Sequence, residues 1–443
     1  MNSHSSLRFR RAAVFAALAI LVALPVEAQL SVTRADAERA ALAAGTRVAL
    51  ARADTAAALA RLLSARALPN PTLAASYSKS APQKHVTLDI PVFDAMWKRG
   101  LVIGQASASA RAARLLFASE RIAAVMEVDT TYTRALAADA RFRLSRQTAR
   151  DADSLRTMTM SRRDAGDASD LDVDLASVVA GQQLNVTAND SLSYMSALLT
   201  VQTLMGIAAD SATIVLADSL VLTTRDTLVE RRMLDSSGMV IGVPPSATPS
   251  SPSASAAQDT SQRAGIGTAP SVAAAAASLS AAELAVALQR RSVFLLPSIN
   301  IGAEWGDPTG GEPGVLPLIG LSIPLPLFNR NQGPIAEATA ERERARIQLV
   351  ATRLAVRQRL IEGVREREAL LVKVARDRDL VVRAQRVADR SLTAYREGAL
   401  GLPAVLEARR SAREVLGQYI DDLAALLTIN TELRALTQTV HVP

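Results

Sequence analysis

Leu68-Pro69-Asn70-Pro71-Thr72-Leu73-Ala74-Ala75-Ser76-Tyr77 returns later in the chain as Leu296-Pro297-Ser298-Ile299-Asn300-Ile301-Gly302-Ala303-Glu304-Trp305. The echo continues outward from both copies. Ile90-Pro91 is answered by Ile323-Pro324, and Gly100 by Gly333. Each of those glycines opens a long run with helical pattern, closed by Gly166 in the first copy and by Gly398 in the second. A repeat of this length is not a solenoid unit. It is one large module written twice: helix, two short strands, very long helix, tip, returning helix.

The strand candidates alternate. Val86, Leu88, Ile90 and Val92 interleave with His85, Thr87, Asp89 and Pro91. In the second copy Ile299, Ile301, Ala303 and Trp305 interleave with Asn300, Gly302 and Glu304. Ile319, Leu321, Ile323 and Leu325 then interleave with Gly320, Ser322, Pro324 and Pro326. A period of two sends the two sets to opposite faces of a sheet. Segments of about nine to eleven residues suffice for one tilted crossing of a bilayer. Asn, Asp and Glu would then face water inside a barrel, and Ile, Leu and Trp would face lipid. A half-buried strand of a water-soluble sandwich has the same pattern, so the strands alone do not choose.

The helical runs tip the balance. Gln105 to Ala165 holds no Gly or Pro, and Ile335 to Glu397 is interrupted only by Gly363. Each would be on the order of 90 Å long at 1.5 Å per residue, far beyond an ordinary globular helix. Leu349, Val356, Leu360, Val364, Leu371, Val374, Val381, Ala388, Leu392 and Tyr395 fall at heptad-like spacing, the seam of a coiled coil. Runs such as Glu341-Arg342-Glu343-Arg344 read as a solvated face. Returning helices follow each tip, making two helical hairpins.

The domain plan is therefore a signal sequence over 1–28 and a first repeat over 29–206, with a strand pair near 70–93 and a hairpin near 100–206. An inter-repeat segment, 207–271, contains a Pro/Ser-rich linker at 243–270. The second repeat, 272–437, has its strand pair near 297–326 and its hairpin near 333–437, ahead of a tail at 438–443. The signal reading rests on Arg8, Arg10 and Arg11, the apolar run Ala12 to Leu24, and Val26-Glu27-Ala28 as a cleavage site. No other segment is read as a spanning helix. The linker composition cannot bury a core.

The 443-residue chain carries a net charge of +7, and its basic residues are interleaved with Glu along helices rather than gathered in one block. With 3% aromatic residues it has little to stack on bases, which argues against a nucleic-acid partner. It has no Cys, which excludes disulfides, thiolate metal sites and a lipidated N-terminal Cys.

Signal sequence, duplicated modules, four strands and two long hairpins together resemble the TolC family of outer-membrane efflux channels. The most specific stretch is Ile323-Pro324-Leu325-Pro326-Leu327-Phe328-Asn329-Arg330-Asn331-Gln332-Gly333, which is similar to the strand-to-helix junction of the heavy-metal (CzcC and CusC) branch. Tyr395-Arg396-Glu397-Gly398 is similar to that family's adaptor-facing turn. The resemblance implies a mainly α fold with a small β part. In a homotrimer, each chain would give four strands to a twelve-stranded barrel and its hairpins to a periplasmic tunnel. It implies a passive exit duct in the outer membrane for metal cations or drugs, served by an inner-membrane pump and a periplasmic adaptor. The alternative from another class is a periplasmic coiled-coil structural or adhesion protein. Few aromatics stand on the strands, so a strong aromatic girdle is not expected.

No enzyme is expected. The three histidines are scattered, and no phosphate loop, metal-ligand spacing or paired nucleophile is present; no cofactor is expected either. Rings of Asp at a three-fold pore narrow it and favour cations, which makes Asp170, Asp172 and Asp174 the constriction candidates. Asp at a helix start also favours the dipole, so simple capping competes with that role. Gly166, Arg396, Gly398 and Leu402 are the candidates for adaptor contact, against plain turn chemistry. Pro91, Gly100, Pro324, Asn329 and Gly333 mark the strand-to-helix junctions.

Overall fold

The computed structural model describes residues 30–80, 82–90, 92–207, 214–221, 269–293, 297–306, 314–323 and 328–437. The segments read as signal and tail, nearly all of the linker, and Pro91 and Pro324 lie outside these. The chain divides into two compact units: residues 1–41, 128–221 and 373–425 form one, and 42–127, 222–372 and 426–443 form the other.

In the first unit, strand β1 (Leu30–Val32) pairs in parallel with β4 (Ile214–Leu216), Leu30 opposite Ile214. Helix α1 (Arg34–Ala44) follows at once, opened by a capping box. The Thr33 amide donates to Asp36 Oδ2 (3.1 Å), and the Asp36 amide to Thr33 Oγ1 (3.2 Å), satisfying two donors that a helix start leaves orphaned. Val32, Ala37, Val128, Tyr132, Leu198, Val201 and Ile214 form one buried cluster. Within it the Tyr132 hydroxyl donates to the Val32 carbonyl at 2.8 Å. Burial and the nearby Asp218 push the phenol of Tyr132 up, so it stays a donor. The helix that opens the first module is thus a short strand followed by two helices. The break is Gly45, in an extended conformation, where a glycine's backbone entropy works against helix. Helix α2 (Thr46–Arg66) resumes after it.

The long helices are α3 (Val92–Asp164) and α6 (Gln332–Arg396), with returning partners α4 (Asp170–Leu204) and α7 (Leu402–Thr437). Helix α3 begins at Val92, ahead of the expected start at Gly100. Gly100 and Gly104 lie inside it with open space where a Cβ would be. Each costs about 1 kcal/mol against Ala, which 73 proline-free residues absorb. Gly363 in α6 has a packing role. A Cβ there would meet Leu433 Cδ2 at 2.9 Å and Ile429 Cδ1 at 3.2 Å on α7, so the glycine permits the close approach of the two helices.

Helix α5 (Pro270–Arg291) starts with proline at its first position, where the missing N–H is no loss. By length and composition it could cross a membrane, which corrects the expectation that no segment beyond the signal qualifies. Its alanine-rich face packs Val272, with Ala269 just before the helix, against Leu349 and Val356 of α6.

The second unit also holds a four-stranded sheet in the order β2 (Thr72–Tyr77), β3 (Lys84–Ile90), β5 (Ser298–Trp305), β6 (Val315–Ser322), every neighbour antiparallel. The strands are six to eight residues long, shorter than expected. Val92, read as a strand residue, belongs to α3. The repeat is visible in the pairing, since the two hairpins β2–β3 and β5–β6 lie side by side. Outer edges β2 and β6 have no strand beyond them among the described residues.

Candidate membrane face and hairpin tips

The register sorts the sheet's side chains into two sets. Leu73, Ala75 and Tyr77 lie opposite Leu88, Val86 and Lys84. Ile90, Leu88, Val86 and Lys84 lie opposite Ile299, Ile301, Ala303 and Trp305. These in turn face Leu321, Ile319, Pro317 and Val315. All share one side of the pleat, which is apolar except for Lys84 at its end. The other side carries Thr72, Ser76, His85, Thr87, Asp89, Asn300, Gly302 and Glu304, with Leu316 and Leu318 on the edge strand β6. His85 Nδ1 lies 3.3 Å from Glu304 Oε2 across the strands. Ile319 is 80% exposed, and Leu73, Tyr77, Ile301, Val315 and Leu321 are exposed as well. A sheet with one side of unburied aliphatic residues and one side mostly of small and polar residues, its two leucines confined to β6, needs an apolar medium against the aliphatic side. Gly302 is required by crowding, because a Cβ there would sit 2.5 Å from the Val86 carbonyl oxygen.

At the strand-to-helix junction Asn331 takes a left-handed conformation, φ 60°. Its amide donates to Asn329 Oδ1 (2.9 Å) and its side-chain amide to the Gln289 carbonyl (2.7 Å). Asn329 and Gly333 thus flank the turn, and Asn331 holds it; the sequence pattern had passed Asn331 over. An Asn tolerates this backbone better than most residues.

The hairpin tips lie in the first unit. Ser169 caps α4, accepting from the Asp172 amide at 3.1 Å, while the Ser169 amide donates to Asp172 Oδ2 at 3.2 Å. Asp172 is therefore engaged in the helix start. Asp170 and Asp174 are exposed carboxylates on the same first turns, Asp170 lying 3.8 Å from Arg163. Leu402 is 2% exposed, buried with Leu155, Ala176, Tyr395 and Val405. Its side chain supports the tip from beneath and offers no surface to a partner, which corrects the reading of Leu402 as a contact residue. Gly166, Arg396 and Gly398 are exposed.

The tips are tied through Tyr395 by Arg162 and Thr159, which no sequence pattern marks. The Arg162 guanidinium lies 4.7 Å from the Tyr395 ring centroid and donates to the Tyr395 carbonyl. Thr159 Oγ1 is 3.1 Å from the Tyr395 hydroxyl. Arg162 looks like one more surface cation in sequence, and only the fold puts it on the ring.

The apolar seam of α6 contains a buried carboxyl. Asp377 of α6 and Asp422 of α7 face each other, both buried, each with an Oδ2 that has no hydrogen-bond partner. Lys373 donates to Asp422 Oδ1 at 2.8 Å. Burial first, then the adjacent Asp422 carboxyl, raise Asp377 above the ordinary carboxylate value. Burial also works to raise Asp422, but hydrogen bonds from Lys373 and Gln418 outweigh it and hold Asp422 below that value. Two buried carboxyls in contact do not both ionise readily, and Asp377 is the one whose ionisation is opposed. Arg376, 3.8 Å from Asp377, opposes this only in part.

Residues 265–438 match the family of outer membrane efflux proteins. No curated protein sequence matches the chain. Solved structures match the fold over nearly its full length. CusC matches with TM-score 0.67 and 16% identity over 91% of both chains. The outer membrane protein VceC of Vibrio cholerae matches with TM-score 0.68 and 17% identity, over 92% of this chain and 96% of that one. The CmeC channel of Campylobacter jejuni matches with TM-score 0.69 and 12% identity, over 91% and 85%. Residues 265–438 therefore carry the match to the outer membrane efflux family, and the two-faced sheet and paired long hairpins belong to the fold that these channel structures share.

Proposed function

We propose that three copies of this chain close a twelve-stranded barrel in the outer membrane and continue it as a helical tunnel in the periplasm. The single observation that carries this is the sheet: one apolar exposed side, one mostly polar side, and two open edges. An open strand edge cannot face lipid, because its amides and carbonyls would go unpaired. Four strands are too few to close alone, and cyclic symmetry supplies the rest. The polar side, with His85, Asp89, Asn300 and Glu304, then lines a wet lumen.

In this reading the duct is passive, and an inner-membrane pump and periplasmic adaptor deliver metal cations or drugs to it. Asp170 and Asp174 narrow the periplasmic entrance and favour cations. Gly166, Arg396 and Gly398 form the surface that meets the adaptor, and Leu402 holds that surface in shape. The Arg162–Tyr395–Thr159 contact locks the tips, so opening the entrance starts by breaking it. A water-soluble coiled-coil protein would leave the sheet's apolar side without a partner.

Fractionation of cells expressing the full chain, followed by sizing of the detergent extract, tests the proposal. A trimer extracted from the outer membrane is expected. A water-soluble monomer in the periplasm would overturn it.

A further inference from the structure

Thr72, Asp89, Ile90, Ser298 and Ser322 all lie at one end of the sheet, by register. So the four helix ends that join the strands gather there: the end of α2, the start of α3, the end of α5 and the start of α6. Segments 65–71, 89–100, 287–297 and 328–340 together hold Arg66, Lys98, Arg99, Arg290, Arg291 and Arg330 against three acidic residues, Asp89, Asp94 and Glu337. The junctions are tied to one another. Arg99 donates to the Arg66 carbonyl at 2.8 Å, Asn331 holds Gln289, and the Arg291 guanidinium lies 4.4 Å from the Trp97 ring centroid.

The helix dipole does not explain this charge. Arg66, Arg290 and Arg291 sit at C-terminal ends, where a cation is favoured, but Arg330 sits just before the start of α6, where it is opposed, and Lys98 and Arg99 lie about two turns into α3, beyond the dipole's reach. Ion pairing does not explain it either. Arg66, Arg290 and Arg330 are exposed and form no ion pair among the described residues. Two aromatic residues stand at the same end, Phe328, 93% exposed, and Trp97, also exposed. An exposed aromatic beside cations is the side-chain chemistry of a bilayer's headgroup level.

We infer that this ring of helix ends is a basic collar that binds the anionic headgroups of glycerophospholipids in the periplasmic leaflet. The phosphates meet Arg66, Arg290 and Arg330, while Phe328 and Trp97 sit at the acyl boundary. The inference rests on the channel reading, which puts the helices on the periplasmic side.

The test uses the full-length protein in nanodiscs of phosphatidylethanolamine with a minor share of phosphatidylglycerol, and native mass spectrometry of the lipids it retains. Phosphatidylglycerol is expected to be enriched on the order of fivefold over its share of the bilayer, and the enrichment should fall with added salt. The triple variant Arg66→Gln, Arg290→Gln, Arg330→Gln, at exposed positions without ion pairs, should assemble normally and lose the enrichment. Equal retention by both proteins, or no enrichment in the parent, overturns the collar. Displacement of the lipid by inorganic phosphate at constant ionic strength would assign the site to free phosphate and overturn it as well. A chain that fails to insert into the bilayer at all brings down the channel reading instead.

Discussion

At Gly166 the chain turns with φ 86°, and at Gly398 with φ 78°. In both tips the glycine amide and the next one reach back into the helix. Gly166 donates to Arg163 and Asp167 to Arg162; Gly398 donates to Tyr395 and Ala399 to Ala394. This is the same C-terminal cap twice. The surfaces laid on it differ. The first tip goes on to Ser169, Asp170, Asp172 and Asp174, a capped and charged helix start. The second goes on to Leu402 and Val405, whose side chains fill a core, with Pro403 exposed between them. The two tips thus share one turn geometry, and one carries charge where the other carries packing.

The largest break in this comparison comes from the packing tip. Tyr395→Ala should cost about 3–5 kcal/mol, as for other buried aromatics, while Tyr395→Phe should cost about 1 kcal/mol for the Thr159 contact. Thermal melts of the assembled protein read both, and an alanine variant that melts like the parent would mean the lock is idle. Next come the glycines. Gly166→Ala and Gly398→Ala should each cost about 1–2 kcal/mol, the penalty for a Cβ in left-handed backbone. Clearly unequal costs would show that the two turns are not equivalent.

The charged tip is probed by Ser169→Ala, expected to cost about 1 kcal/mol through the lost cap and to leave the second tip untouched. Asp170→Asn with Asp174→Asn should leave melting unchanged and lower cation selectivity in single-channel recordings. Selectivity equal to the parent's would remove these carboxylates from the constriction.

The smallest effect separates the hairpins higher up. At the same sequence distance from its tip glycine as Asp377, the first repeat has Ser145, which is also buried. Asp377, raised in the folded state, contributes stability that is full below the ordinary carboxylate value and is lost as pH rises through its folded value. Asp422, lowered, works in the opposite sense at more acid pH. Asp377→Asn, which mimics the protonated acid, should flatten the fall in melting temperature as pH rises above the ordinary carboxylate value. An unchanged slope would show that burial beside Asp422 does not oppose ionisation of Asp377.

Much of this was legible in the sequence because periodicity carries it. The strand alternation around Ile299 and Ile319 marks both sides of the sheet, and the glycines mark both tips. What escaped was whatever depends on partners distant in sequence. Asp377 sits in register with Val374 and Val381, but a seam read from apolar residues alone passes over it. Arg162 gains its meaning only from Tyr395. The basic collar is invisible along the chain because its cations come in ones and twos from four helix ends. A lone glycine such as Gly45 breaks a helix only where packing lets it, so its effect shows in the fold and not in the sequence. Trp97 and Phe328 fell outside the strands where an aromatic girdle was sought.

The open edges of the sheet carry a consequence for kinetics. If β2 and β6 are completed only by strands of other copies, then insertion is not a first-order event for a single chain. Its rate depends on how often chains meet, and dilution leaves each one holding an apolar surface and two unpaired edges. Slow expression would then yield less channel per chain than fast expression, and whatever shields the lone chain in the periplasm would govern how much duct the cell builds.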